Sequence, residues 1–442
     1  MSLPSRLRAA VLRAGVLLAA CFVSAGCDLE NLLEADLPGD VVEEALNDPG
    51  LAPVLAQSVV ADFECAWNNY VTGTALISDA FIQASGNLNQ RNWGTRRVLS
   101  SDASYAQSGC DDPYGIYTPL HTARFQAEDA FERITSFPDA QVPEKPRLLA
   151  TVRVFGAYAL VALGEGFCEM ALDQGPLMTP PDVLRLAEQR FTEGLALAEA
   201  SNAAELGTLA FVGRARVRLD LEDFAGAIAD ASLVPQGYVR NATRDEALAD
   251  RYNGFCNHLT CASFGRHASI APDYHDVRWE GAADPRVAVT TTNNVAFDNA
   301  TTHWYPADKF RTRSDPVQIA SYAEAQLIIA EAAARTGDLT TARTIINDLH
   351  DAAGIPGYDP GAVATQTEVV AHLIEERRRE LFLEGGHRFN DHLRFRATEW
   401  AVPYKGEPGS IHPDGVDHTG VPYGSTTCFS LPDVERVGNP NL

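Results

Sequence analysis

Two stretches of this chain carry the same residue pattern 115 positions apart, and that echo limits the fold more than any other feature. Ala215, Asp223, Phe224, Ala227, Ala231 and Val234 correspond without a gap to Ala330, Asp338, Leu339, Ala342, Ile346 and Leu349. The pattern suits a pair of helices: a small residue lets them approach, an Asp marks the turn, and an apolar and small stripe docks the second helix. One such pair cannot bury its apolar face alone, so the echo predicts similar pairs stacked beside it. A third, degenerate copy places Leu184, Ala187 and Phe191 at the offsets of Leu339, Ala342 and Ile346. Its first helix lies further upstream, beyond an insertion containing Cys168.

Helical periodicity extends around these copies. Residues 114–135, 145–164 and 181–201 read as helices; Leu149, Val152, Phe155 and Leu160 form the stripe of the second, and Leu184, Ala187, Phe191, Leu195 and Ala198 that of the third. Another helix is expected over 367–384, with Val370, Leu373, Ile374, Leu381 and Phe382 apolar. The fold class is therefore mostly α, with TPR-like helical hairpins over about 114–234 and 318–395. Three stretches break the pattern: 85–113, 235–317, rich in Asn, Thr, Asp, Gly and aromatic residues, and 401–442, with Pro403, Pro408, Pro413 and Pro422. Such excursions from a rigid frame are where binding surfaces usually reside.

The first 26 residues hold Arg6, Arg8 and Arg13, no acid, and an apolar run from Ala14 to Val23 that ends in Ser24, Ala25 and Gly26. This reads as a secretory signal, too short to span a bilayer core of about 30 Å. Cys27 follows directly and is the expected lipidation site, preferred over Cys21, which would leave a shorter apolar core; acyl chains there would anchor the protein to a membrane. One domain is expected over 27–442. Without residues 1–26 the chain carries 32 basic and 59 acidic residues, a balance that argues against nucleic acid and anionic lipid heads as partners. Six cysteines remain besides Cys21 and Cys27, an even number in an oxidising compartment. Cys65 with Cys110 and Cys256 with Cys261 are the preferred bridges, contributing about 4 and about 2 kcal/mol by loop entropy. The pairing of Cys168 and Cys428 stays open. A single histidine, His258, between Cys256 and Cys261 does not make a zinc motif, and no metal site is expected.

Arg377 falls on the apolar stripe of 367–384 and needs a carboxylate, because an unpaired buried charge costs about 3 to 5 kcal/mol. Glu324 and Glu331, seven residues apart and nearly aligned on the preceding hairpin, are the candidate partners in a structural ion-pair cluster.

At these residues the chain resembles a known family. The run Glu376-Arg377-Arg378-Arg379-Glu380-Leu381-Phe382-Leu383-Glu384-Gly385-Gly386-His387-Arg388-Phe389-Asn390-Asp391 is similar to the C-terminal signature of SusD/RagB proteins. Tyr322 to Ala332, Gly337-Asp338, Ala352 to Pro356, Asp284-Pro285-Arg286, and Leu431-Pro432 with Glu435 and Asn439 to Leu442 resemble further family segments. The resemblance implies a SusD-like α-superhelix of about four TPR-like pairs that presents irregular loops. It also implies a lipid-anchored outer-membrane protein, exposed at the cell surface, that grips oligosaccharides or, in some branches, peptides for a partner TonB-dependent transporter, a SusC-like barrel. It implies no catalytic residues and no organic cofactor. His392 departs from the leucine usual after the aspartate, and Asp28 after the lipidated cysteine would favour inner-membrane retention in some bacteria.

Sugar recognition needs flat aromatic faces beside hydrogen-bonding groups. Trp93 with Asn92, Trp279 near Tyr274, and Trp304 with Tyr305 stand in such polar settings and are the expected ligand-binding residues. Two other readings are a periplasmic TPR-type assembly scaffold and an exported glycan hydrolase. For the latter, no carboxylate pair sits in a motif that fixes the separation glycosidases require.

Overall fold

The computed structural model describes residues 43–442 apart from 113, 262–264, 302–303, 360 and 362–363. The expected signal segment and Cys27 lie outside the described residues. Residues 1–48 and 49–442 form two units, and in the first Glu43–Asn47 makes a short 3-10 helix.

The second unit begins with α1 (Ala52–Ile77), β1 (Phe81–Gln83), α2 (Leu88–Gly94) and α3 (Ala103–Gln107). Four longer or paired helices follow: α4 (Tyr117–Ser136), α5 (Lys145–Gly166), α6 (Pro180–Ala200) and α7 (Ala204–Asp220), the last leading into α8 (Phe224–Ala231). Strands β2 (Val239–Ala242), β3 (Ala268–Ile270), β4 (Arg278–Trp279), β5 (Ala282–Ala283) and β6 (Val317–Ser321) are brief. The chain closes with α9 (Tyr322–Arg335), α10 (Leu339–Ala353), α11 (Gln366–Glu380), α12 (His387–Phe395) and α13 (Asp433–Gly438). The fold is mostly α, as the sequence predicts.

The echo has a direct physical counterpart. Ala215 and Ala330 are fully buried where α7 meets α8 and α9 meets α10. Asp223 and Asp338 cap the second helices, accepting from the backbone N–H of Gly226 at 3.0 Å and Thr341 at 3.1 Å. Such a cap contributes about 1 kcal/mol. Ala227, Ala231 and Val234, and likewise Ala342, Ile346 and Leu349, are buried along the docking stripe. The degenerate copy is the α5–α6 pair, with Leu184, Ala187 and Phe191 buried. Gly213 is required at the α6–α7 crossing, because a Cβ there would lie 2.2 Å from the Phe191 ring.

At the centre, α5 packs against α1, α4, α6 and α7. Among the described residues it alone is long and apolar enough to cross a membrane, but that window is 89% buried inside the fold. Helix α1 has no amphipathic stripe in the sequence, and the structure shows why: every residue from Phe63 to Ile77 is buried. Phe63 meets Phe155 at 5.5 Å between ring centroids, and Tyr158 meets Phe191 at 5.0 Å. Side chains of this size each contribute about 1.5 to 3 kcal/mol when fully buried.

The described strands form three two-stranded antiparallel sheets, β1–β3, β2–β6 and β4–β5. In the second, Val239 faces Ser321 and Ala242 faces Val317. This ladder joins the chain leaving α8 to the chain entering α9, so residues 243–316 depart and return at one place. Helix α11 ends at Glu380, short of the predicted 384. Leu383, Gly385 and Gly386 take positive φ there, and a Cβ on Gly386 would lie 2.7 Å from the Tyr70 ring.

Arg377 is buried, but its partners differ in part from expectation. Asp391 on α12 binds it at 2.9 Å, Glu331 lies 3.7 Å away, and Glu324 turns instead towards Arg216 at 3.6 Å and His387 at 3.5 Å. About two turns of separation between Glu324 and Glu331 along α9 send them to different cations. Arg394 binds Glu331 and Asp391 at 2.7 and 2.9 Å, and Arg216 binds Glu165 on α5 at 2.5 Å. Burial alone would raise the Asp391 carboxyl, but Arg377 and Arg394 hold it well below the usual carboxylate range. Replacing Arg377 by Ala is expected to lower unfolding free energy by about 3 to 5 kcal/mol; an unchanged thermal midpoint would refute the role given to this pair.

Candidate ligand-binding face

The three irregular excursions predicted from sequence meet at the β1–β3 sheet. Phe81 pairs with Ile270 and Gln83 with Ala268. Beyond the strands the ladder continues, with Ala84 N–H donating to His267 at 2.9 Å, Asp298 N–H to Ala84 at 2.9 Å and Phe297 N–H to Arg266 at 3.1 Å. The third excursion joins through Gln83 Nε2, which donates to Asp417 Oδ2 at 2.8 Å, and through Gly424 N–H, which donates to Thr95 at 2.8 Å. The Cys168–Cys428 disulfide fastens this C-terminal stretch to the loop after α5. Cys65–Cys110 and Cys256–Cys261 bond as preferred from sequence.

This junction presents an exposed ring with polar groups around it. Phe297 is 38% exposed, His267 stands edge-on to it at 4.6 Å, and the Arg266 guanidinium lies 4.9 Å from its centroid. Next to Phe297, Asp298 accepts from Thr301 Oγ1 at 2.8 Å and lies 3.2 Å from His418 Nε2. His412 Nδ1 and the Tyr423 hydroxyl are 2.8 Å apart on the adjoining loop. Although burial works against it, hydrogen bonds from His418 and from the Thr301 and Ala300 amides hold the Asp298 carboxyl well below its ordinary range. Burial pushes the His267 imidazole down to about 4, so it is neutral near pH 7 and can both donate and accept. An apolar ring face beside an ionised acceptor and a neutral imidazole suits a ligand with C–H surfaces and hydroxyls.

The aromatic residues expected from sequence are placed otherwise. Trp93 is fully buried against Tyr114 at 5.0 Å and Phe429 at 5.6 Å. Trp304 is fully buried and donates from Nε1 to Ala268 at 2.7 Å, fixing the face from beneath. Tyr274 is buried against Phe382, with its hydroxyl 3.0 Å from Asp79. These three rings anchor loops and offer no free surface, which corrects their expected role. Asn92 is half-buried and lines a cavity of about 500 Å³ with Arg96, Arg97 and Thr426. Tyr305 is half-buried and stacks on His275 at 3.6 Å, at the far end of β3. Trp279 is half-buried and lies elsewhere, against α10 and α11. Sequence reasoning did not single out Phe297, Asp298, His267 or Tyr423; their one shared signal is membership of the excursions.

The architecture is a stack of helical pairs whose insertions build a common face. Residues 284–421 match the model of the SusD family. Similar solved structures include a SusD-like carbohydrate binding protein from Bacteroides vulgatus, 14% identical, covering 89% of this chain and 97% of that one with a TM-score of 0.66. A SusD-like protein from Bacteroides fragilis is 14% identical, covers 91% and 98%, and has a TM-score of 0.68. Surface glycan-binding protein A from Bacteroides uniformis is 15% identical, covers 88% and 98%, and has a TM-score of 0.64. No curated protein matches the chain. The sequence match to the SusD family thus spans 284–421, and the fold of SusD-like proteins is shared along most of the chain.

Replacing Trp304 by Ala is expected to cost about 3 to 5 kcal/mol of stability, whereas Phe297 to Ala should change it by no more than about 0.5 kcal/mol. Chemical denaturation of the two variants checks this contrast, and equal losses would mean that Phe297 is core and not surface.

Proposed function

We propose that the protein is a nutrient-capture lipoprotein that binds an oligosaccharide at the Phe297 face and delivers it to a TonB-dependent outer-membrane transporter. The observation that carries this reading is the meeting of all three excursions around one exposed ring with hydroxyl-binding groups beside it. The match of residues 284–421 to the SusD family supports it, as does a fold shared with a carbohydrate binding protein and a surface glycan-binding protein. The mechanism is binding without chemistry. Phe297 stacks on a sugar face and His267 donates or accepts, while Asp298, occupied by Thr301, Ala300 and His418, holds the loop and the helical frame stays rigid. A dissociation constant between micromolar and millimolar, about 4 to 8 kcal/mol, holds cargo yet lets it leave for the channel. The acidic chain is matched to a neutral ligand and not to a polyanion.

Calorimetric titration against glycan and peptide panels tests the cargo class. The Phe297→Ala, His267→Ala double variant is expected to bind the identified glycan at least about tenfold more weakly, a loss of about 1.4 kcal/mol, with its thermal midpoint retained. Undiminished binding removes this face from the site, and binding to peptides alone replaces the cargo.

The lipid on Cys27 and the outer-membrane location belong to the same proposal. Cys27→Ser is expected to move the protein from the membrane fraction to the soluble fraction in its native host. Continued membrane retention of that variant would refute the anchor.

A further inference from the structure

Away from the loop face, α10 and α11 bring together three groups that the binding reading does not use. We propose that His350, His372 and Glu376 form a site for a borderline divalent metal ion of the Zn2+ kind. One ligating atom from each residue lies within 4.8 Å of the other two. His372 and Glu376 are one turn apart on α11 and so share a face, the spacing by which helices commonly present paired metal ligands. His350 sits in the last turn of α10, where the helix dipole favours a cation.

The surroundings fix where these donors stand. His350 Nδ1 donates to the Pro356 carbonyl at 2.7 Å, and Nε2 donates to Glu376 Oε2 at 2.9 Å, a proton that a metal ion held by both residues would displace. His372 Nε2 is buried with no hydrogen-bond partner among the described residues, an orphan that metal coordination would explain. Tyr358 stacks flat on the His372 ring at 3.7 Å, and Trp279 packs 4.8 Å from His372 and 5.5 Å from His350, forming the site's walls. Tetrahedral ligands at zinc distances stand about 3.3 Å apart, so the widest gap of 4.8 Å must close by about 1.5 Å, within reach of side-chain rotation.

The local charge permits such an ion. Arg286 binds Glu376 through Oε1 and more loosely, at 3.4 Å, through the Oε2 that His350 also faces, and is paired with Asp284 at 2.7 Å and Glu380 at 2.9 Å. Arg379 pairs with Asp284 and Glu375, and Arg378 with Glu375. Four carboxylates thus face three guanidiniums. Two imidazoles and one carboxylate favour zinc or a neighbouring transition ion over Ca2+ and Mg2+, which prefer oxygen donors. With three protein ligands, a fourth position stays open.

The test uses the untagged mature protein, stripped with a chelator and titrated with Zn2+, Ca2+ or Mg2+ by calorimetry and thermal melting. One equivalent of Zn2+ is expected to bind and raise the thermal midpoint, with Ca2+ and Mg2+ ineffective. His372→Ala and His350→Asn should each weaken Zn2+ binding by more than about 100-fold and abolish the rise. Co2+ should quench Trp279 fluorescence in the parent but not in His372→Ala, a readout independent of any stability change in the variant. Absence of stoichiometric Zn2+ binding in the parent, or an undiminished Zn2+ response in both variants, would overturn the proposal.

Discussion

The frame depends on a buried web of charges that no single helix can satisfy. Glu165 on α5, Arg216 and Asp220 on α7, Glu324 and Glu331 on α9, Arg377 on α11 and Asp391 and Arg394 on α12 lie within one network. Each ion would be expensive to bury alone, and the network makes the cost conditional on all five helices arriving in register. Apolar stripes can slide past one another by a turn with modest loss; an Arg that must find its carboxylate cannot. Glu324, Glu331, Arg377 and Asp391 of that web lie in the stretches that resemble the SusD family, so part of that resemblance reflects a scaffold requirement.

Upon this frame the loops are ordered from below. Trp304, Trp93 and Tyr274 are driven inward by their apolar area, and each sits under a stretch with little regular structure. Trp304 and Tyr274 also reach hydrogen-bond partners inside, so their burial leaves those polar ends satisfied. The groups left on the surface, Phe297 and the histidines around it, are then held in place by neighbouring backbone rather than by their own packing.

What the sequence made legible follows the same division. The paired helices could be read because a one-sided stripe records burial on one side only, and the Asp caps marked the turns. Helix α1 could not be read, since residues buried on every side, Asn68 and Asn69 among them, leave no stripe. The buried state of Arg377 was inferable from its position among apolar neighbours, but Asp391 as its partner required knowing how α12 folds back. The aromatic positions misled for a physical reason: a tryptophan amid polar loop residues signals that the loop needs an anchor as readily as that a ligand needs a platform. His392, the departure from the family pattern, is fully buried, stacked on Tyr404 at 4.3 Å with Nδ1 3.1 Å from the Val402 carbonyl. That residue holds the start of the C-terminal excursion against α12.

The β2–β6 ladder has an evolutionary consequence. Because the chain exits and re-enters through neighbouring rungs, the insert between them can lengthen or shorten at its surface turns while the flanking hairpins keep their spacing. Such change is bounded by the buried ties between insert and frame, Tyr274 on Phe382 and Arg286 on Glu376 among them.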